Sequence, residues 1–281
     1  MYKFGLIGYP VQHSLSPWIH EKFLEQAGLS GTYSLIEIKP DNFSEEIAQL
    51  KASDMNGFNV TVPYKEKIIP YLDEIDEDAK AMGAVNTVLN KDGKWIGFNT
   101  DGKGYVRSLQ HAYPQIFSNK ARERLLLLGG GGAARGIYYA LVTEGFQRVD
   151  IANRTIASAA SIKSLTEEKK QTDTQILTLS EAEEALDQYS VVIQTTSVGM
   201  NPNSEESIIS VERLKAETIV SDIVYQPIKT KLLTKSHDRG ANIHFGHTML
   251  LCQAQYAFEI WTGKRVDLAQ MDEQLKQVLE G

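Results

Sequence analysis

Gly129, Gly131 and Ala134 follow an apolar run at residues 125–128 with the spacing G-x-G-x-x-A. Placed after a strand and ahead of a helix, that spacing binds the pyrophosphate of a dinucleotide. The first glycine permits a tight turn, the second lets the backbone approach the phosphates, and the alanine lets the helix pack closely on the strand. The helix N-terminus then turns N–H groups and partial positive charge toward the anion. The next strand, VDIA, leads into Asn153-Arg154-Thr155. An NAD site carries an acidic residue at such a tip for the ribose 2′-hydroxyl, and Asp150 lies too early in the strand to serve. Arg154 offers a fixed charge and a planar face suited to a 2′-phosphate. The segment therefore predicts NADP.

Four further segments are dense in polar groups beside turn residues: His13-Ser14-Leu15-Ser16-Pro17, GFNVTVPYK at 57–65, GAVNTV at 83–88 and NTDGKG at 99–104. In the first, Ser16 reads as a helix N-cap with Pro17 in the first turn, which leaves Ser14 without a structural explanation. In the second, Asn59, Thr61 and Lys65 emerge at the C-terminal end of a buried strand, where α/β sheets hold their ligands. Taken singly, each segment is explained as well by a turn, a cap or a surface charge.

The elements that carry these residues alternate. Strands are predicted at 3–8, 33–38 and 57–61, with helices from Ser16 to about Gly28, at 42–51 and at 65–72. Residues 87–89 and 95–98 form a pair turned by Asp92-Gly93, a hairpin signal. Residues 102–111 read as a helix leaving this domain. Later strands are expected near Arg124, Arg148, Ile176, Val191 and Thr218, with a last one at 242–245. The chain is helical from His247 to Thr262 and again from about Leu268. This pattern predicts an α/β protein of two domains: a substrate domain at 1–101 and a Rossmann-type nucleotide domain at 102–238. A helical segment at 239–281 is expected to return to the first domain.

Composition sets the outer bounds. The chain has 281 residues, enough for one large or two ordinary domains. Its net charge of −7 offers no electrostatic support for nucleic-acid binding. The single cysteine, Cys252, allows no internal disulfide and reads as a small buried hydrophobe. No apolar run is long enough to span a membrane, and the opening MYKFGLIG reads as a first strand, not as a signal peptide. The expectation is a cytoplasmic enzyme that acts on a small molecule, without nucleic acid or membrane as partner.

Taken together, the motifs resemble one family. GYPVQHSLSP, GFNVTVPYK, GAVNTV and NTDGKG, in that order ahead of GGGGAAR, are similar to shikimate dehydrogenase. The similarity continues through ANRT, QTTSVGM, DIVYQPIKT and MLLCQA. The resemblance implies an oxidoreductase that reduces 3-dehydroshikimate to shikimate with NADPH, on the route to the aromatic amino acids, as a monomer or homodimer. It implies that Lys65 is the catalytic acid/base and Asp101 its partner. It assigns the substrate carboxylate to Ser14 and Ser16 with a further hydroxyl from Tyr225. It assigns the ring hydroxyls to Thr61, Asn86, Asp101 and Gln253, with Asn59 similarly placed. On the cofactor side it implies Gly129, Gly130, Gly131, Gly132 and Ala133 for the pyrophosphate, and Asn153, Arg154 and Thr155 for the 2′-phosphate. Thr195, Ser197, Ile223, Gly246 and Met249 are implied at the ribose and nicotinamide, and Glu77 as a further cofactor contact. No metal site is implied.

Two departures from the family pattern stand out. Many members carry a second basic residue shortly after the arginine of the NRT motif, where this chain has Ser158; that weakens the 2′-phosphate clamp and leaves room for some NAD use. His247 and Thr248 stand where an apolar and a small residue are usual, so His247 either approaches the nicotinamide or caps the final helix. The alternatives are a quinate/shikimate dehydrogenase that uses NAD, a non-catalytic NADP-binding regulator and a lysine-dependent dehydratase. Lys65, Asp101 and the polar ring residues oppose the regulator.

Overall fold

A computed structural model of the chain describes residues 1–169 and 172–280. Two α/β units result: Met1–Asp101 with Gln253–Asp267, and Gly102–Cys252 with Leu268–Gly281.

The first unit opens with β1 (Tyr2–Gly8), α1 (Ser16–Gln26), β2 (Gly31–Glu37), α2 (Phe43–Lys51) and β3 (Gly57–Val60). It continues with β4 (Glu74–Ile75), α3 (Glu77–Met82), β5 (Thr87–Lys91) and β6 (Lys94–Phe98). These strands form one mixed sheet in the order β2-β1-β3-β5-β6-β4. β1 runs parallel to β2 and β3, and the β5–β6 hairpin joins β3 antiparallel. Asp92 and Gly93 both have positive φ, as the tight hairpin turn requires.

Alternation along the strands divides the core. Phe58, Val60, Val88 and Trp95 pack with Phe43 and Ile47 of α2. Phe4 instead stacks on Trp261 with ring centroids 4.6 Å apart, and the Trp261 indole donates to the Val88 carbonyl at 2.9 Å. A Cβ on Gly57 would stand 2.4 Å from the indole nitrogen, so only glycine admits this ring. The expected helix at 65–72 is absent: the segment forms turns and a 3-10 turn at Ile69–Tyr71. Pro70 lacks an N–H and disfavours the helical region for Ile69.

The chain enters the second unit along α4 (Asp101–Ala112), followed by β7 (Arg124–Leu128), α5 (Gly132–Glu144), β8 (Arg148–Ala152) and α6 (Ile156–Lys163). Next come β9 (Ile176–Leu177), α7 (Leu179–Glu184), β10 (Val191–Gln194), β11 (Ile219–Asp222), α8 (Lys231–Asp238) and β12 (Asn242–His244). α9 (Gly246–Thr262) and α10 (Ala269–Glu280) complete the chain. The sheet is parallel throughout, in the order β12-β11-β10-β7-β8-β9. This is the doubly wound dinucleotide-binding order, whose switch point lies between β7 and β10. Leu125 and Leu127 belong to the apolar cluster on one face, Leu126 and Leu128 to the cluster on the other. Burial on both faces explains the uninterrupted leucine run.

The C-terminal segment does not return to the first unit as a whole. β12 pairs with β11 as the edge strand of the second sheet, and α10 also belongs to the second unit. Only Gln253–Asp267 joins the first. The cause is local bonding: Asn242 donates its N–H to the Thr218 carbonyl at 2.9 Å, and His247 at the start of α9 lies 3.1 Å from Asp272 of α10.

Candidate active site

The antiparallel hairpin determines which polar residues meet in the first unit. β3 ends where β5 begins and β6 ends, with Asn59 opposite Thr87 and Thr87 opposite Phe98. Residues flanking these three strand ends therefore gather at one edge of the sheet: Thr61, Asn86, Thr100 and Asp101. Lys65 reaches the same edge because its carbonyl accepts the Val85 N–H at 2.8 Å. Its ammonium donates to Asp101 Oδ2 at 2.6 Å, and both side chains keep part of their surface exposed, 25% and 13%. An ammonium so held can deliver a proton to a substrate atom at its open side.

The remaining carboxylate oxygen, Asp101 Oδ1, accepts from Asn86 Nδ2 at 2.8 Å. The Asn86 amide is itself held at both ends. Its Nδ2 also donates to Thr100 Oγ1 at 2.9 Å, while its Oδ1 accepts the Thr100 N–H at 2.8 Å and the Thr87 hydroxyl at 2.9 Å. Asn59 is buried and bonded within the protein. Its Oδ1 accepts the Tyr33 phenol at 2.8 Å, and its Nδ2 donates to the Asn86 carbonyl and to Thr87 Oγ1 at 3.2 and 3.1 Å.

The expected cap of α1 is displaced by one residue, and Leu15 holds the N-cap position. Ser16 is the first residue of α1, not its cap. The Ser14 hydroxyl accepts the Ser16 N–H at 3.2 Å and donates to Ser16 Oγ at 3.1 Å. Burial raises the Tyr33 phenol above its ordinary range, and the Ser16 hydroxyl beside it offsets this in part. His20, one turn along α1, is fully buried and stacks on the Tyr33 ring at 4.5 Å. Neither of its ring nitrogens has a hydrogen-bond partner among the described residues. Burial pushes the imidazole down to about 3, which keeps it neutral. Glu77 is exposed in the first turn of α3, where its charge complements the helix N-terminus. Gln253 is partly buried in α9.

In the second unit the glycine turn leaves the end of β7. Gly129 has φ +126°, and a Cβ there would lie 2.5 Å from Thr195 Oγ1. The Thr195 hydroxyl donates to the Leu128 carbonyl at 2.8 Å, so it braces the turn from below. A Cβ on Gly130 would meet Asn153 Nδ2 at 2.5 Å and Ser158 Cβ at 2.9 Å. The turn thus lies against the tip of β8, which carries Asn153, Arg154 and Thr155. Around Gly131 and Gly132 there is open space, with Ala133 and Ala134 in the first turn of α5. Arg154 and Thr155 are exposed, as a phosphate site needs. This cradle fits a dinucleotide: bare backbone at a helix N-terminus, with the exposed Arg154 at the neighbouring strand tip. Asp150 is taken up elsewhere, accepting from Arg124 at 3.0 Å and from Tyr189 at 2.8 Å.

The other cofactor candidates are spread along the sheet. Ser197 is exposed in the loop after β10. Ile223 and Gly246 are neighbours: a Cβ on Gly246 would stand 2.4 Å from the Ile223 carbonyl. Met249 is buried in an apolar cluster of the second unit. The Tyr225 phenol is raised by burial. His247 is buried, with its Nε2 on Asp272, which links the two C-terminal helices.

Sequence reasoning passed over Thr87, Thr100, Tyr33 and His20. Thr87 and Thr100 stood inside the polar motifs, but nothing in their spacing distinguished a bonded hydroxyl from a strand residue. Tyr33 and His20 carried no signal beyond an apolar pattern.

Comparisons with known proteins agree along the chain. Residues 6–88 match the family described as shikimate dehydrogenase substrate binding domain. Residues 112–228 match shikimate/quinate 5-dehydrogenase, and 246–276 the shikimate 5′-dehydrogenase C-terminal domain. The chain is similar to the shikimate dehydrogenase (NADP(+)) of Oceanobacillus iheyensis, with 53% identity over 277 residues, 98% of each chain. A crystal structure of a shikimate dehydrogenase in complex with NADP+ superposes with a TM-score of 0.91 at 34% identity, covering 99% of this chain and 96% of that one. The Thermus thermophilus shikimate 5-dehydrogenase in complex with NADP(H) and shikimate gives 0.88 at 30% identity, covering 99% of each.

Proposed function

The chain belongs to the shikimate dehydrogenase family, and from that premise we propose that it catalyses the reversible NADPH-linked reduction of 3-dehydroshikimate to shikimate. The observation that carries the reading is the Lys65–Asp101 pair, 2.6 Å apart and partly open at a sheet edge lined with hydroxyls and amides. The chemistry NADPH supplies when bound is hydride donation to the carbonyl carbon. As charge gathers on the carbonyl oxygen, the Lys65 ammonium gives it a proton and the ketone becomes an alcohol. In the opposite direction, neutral Lys65 takes the hydroxyl proton. Asp101 holds the lysine nitrogen in place through the 2.6 Å bond.

Ser14 and Ser16 are neutral donors suited to a single carboxylate on a polyhydroxylated ring. Thr61, Asn86 and Asp101 lie along the same edge as Lys65 and suit the ring hydroxyls. The roles of Tyr225, Gln253, Ser197, Ile223, Met249 and Glu77 rest on the family alone. The turn from Gly129 to Ala133, with Asn153, Arg154 and Thr155, would hold the pyrophosphate and the 2′-phosphate of NADP. The reaction belongs to the biosynthesis of aromatic amino acids, in the cytoplasm, by a monomer or homodimer. No helix among the described residues is long and apolar enough to cross a membrane. The test is loss of NADPH absorbance with 3-dehydroshikimate, run beside quinate with NAD. Turnover is expected with the first pair, and its absence removes the proposal.

A further inference from the structure

Between Tyr33 and Lys65 runs an unbroken series of hydrogen bonds, and one of its inner members, Thr87, has no assigned role. The Tyr33 phenol donates to Asn59, the Asn59 amide donates to the Thr87 hydroxyl, and that hydroxyl donates to Asn86 Oδ1. The Asn86 amide donates to Asp101, which accepts from Lys65 through its other oxygen. Thr87 is fully buried, as the first residue of β5. It stands opposite Asn59 on β3 in the antiparallel register.

A hydroxyl carries one proton, so the direction of its donation is decided by its neighbours. Asn59 donates to Thr87 at 3.1 Å, and the nearest acceptor for the Thr87 proton is Asn86 Oδ1 at 2.9 Å, with Thr100 Oγ1 farther off at 3.5 Å. That bond helps hold the amide so that its NH2 faces Asp101. Fully satisfied buried networks of this kind lock side-chain orientation more firmly than isolated pairs. We propose that Thr87 is a positioning residue for the acid/base pair, acting through Asn86 and Asp101 on Lys65. The proposal rests on the reading of Lys65 and Asp101 as that pair. Thr87 touches no reacting atom in this scheme. Its contribution is to narrow the range of orientations from which Lys65 transfers its proton.

The experiment is steady-state oxidation of shikimate with NADP+ by the full chain and its Thr87→Val, Thr87→Ala and Thr87→Ser variants, each also in an Asp101→Asn background. Valine keeps the shape and removes the hydroxyl; alanine removes it without crowding, should valine impair folding; serine keeps it. Thr87→Val and Thr87→Ala are expected to lower kcat about tenfold, the scale of one neutral hydrogen bond, with KM for shikimate nearly unchanged. Thr87→Ser is expected to retain kcat. In the Asp101→Asn background the valine and alanine effects should vanish, because residues acting as one unit are not additive. The proposal is overturned by a normal kcat in the hydroxyl-free variants, by serine behaving like valine, by an effect confined to KM, or by an undiminished effect without Asp101. A wild-type chain that does not oxidise shikimate removes both this proposal and the functional reading. An active wild type with an indifferent Thr87 removes only this one.

Discussion

Lys65 and Asp101, 36 residues apart in the chain, meet at 2.6 Å because one follows a parallel strand and the other follows a hairpin paired against it. The antiparallel turn of β5 brings both to the same end of the sheet. The ion pair is a consequence of strand direction.

Replacing Lys65 with alanine removes the proton donor and leaves the neighbouring hydroxyls and amides intact. A fall in kcat of about 10²- to 10⁴-fold is expected, the usual reach of general acid–base catalysis. Shikimate should still bind in calorimetry. A kcat near that of the wild type would show that another group moves the proton.

Arg154 is exposed at the end of β8, beside the glycine turn. Arg154→Ala is expected to raise KM for NADPH by about tenfold or more, the scale of a lost charge-assisted phosphate contact, and to leave KM for NADH nearly unchanged. Kinetics with both cofactors decide the matter: equal effects contradict a 2′-phosphate role.

Gly129 combines a φ of +126° with a Cβ position blocked at 2.5 Å by Thr195 Oγ1. Gly129→Ala should therefore lower the melting temperature and weaken NADPH binding by about tenfold or more, since side chains are strained in this region of backbone space. Thermal melts and fluorescence titration read the two effects. An alanine variant with unaltered melting and binding would contradict the strain.

Acid should unfold the protein through its buried histidines. Burial lowers His20 to about 3 and His244 to about 4, against 6.5 for an unhindered imidazole. Both folded values are depressed, so the stability tied to the neutral rings is present above the unfolded value and is lost as pH falls from 6.5 toward 3–4. The slope is about 1.4 kcal/mol per pH unit for each histidine. Urea denaturation of His20→Leu across this range should show a shallower loss than the wild type. Parallel curves for the two proteins would mean that His20 does not titrate with unfolding.

Much of the architecture follows from rules that act over a few residues. The glycine spacing, the leucine run buried on both faces, the Asp92-Gly93 hairpin and the basic tip at Arg154 are local and were legible as such. The segment at 65–72 forms turns and a 3-10 turn where a helix is expected, because Pro70 lacks the N–H that a continuing helix needs. Whether Ser16 caps α1 or begins it turns on a shift of one residue, which spacing alone does not resolve.

By itself, the sequence determined that this chain pairs a nucleotide-binding half with a polar, lysine-bearing half, and it named the residues able to do the chemistry. Only the tertiary structure decided how those residues are held. Tyr33, Asn59, Thr87, Asn86, Asp101 and Lys65 come from strands, loops and the start of α4, and their bonds exist only once β2, β1, β3, β5 and β6 are in register. A side-chain amide or hydroxyl is equally able to donate or accept in any sequence. Its direction is chosen by the neighbours that folding places around it, and that choice sets Asp101 against Lys65.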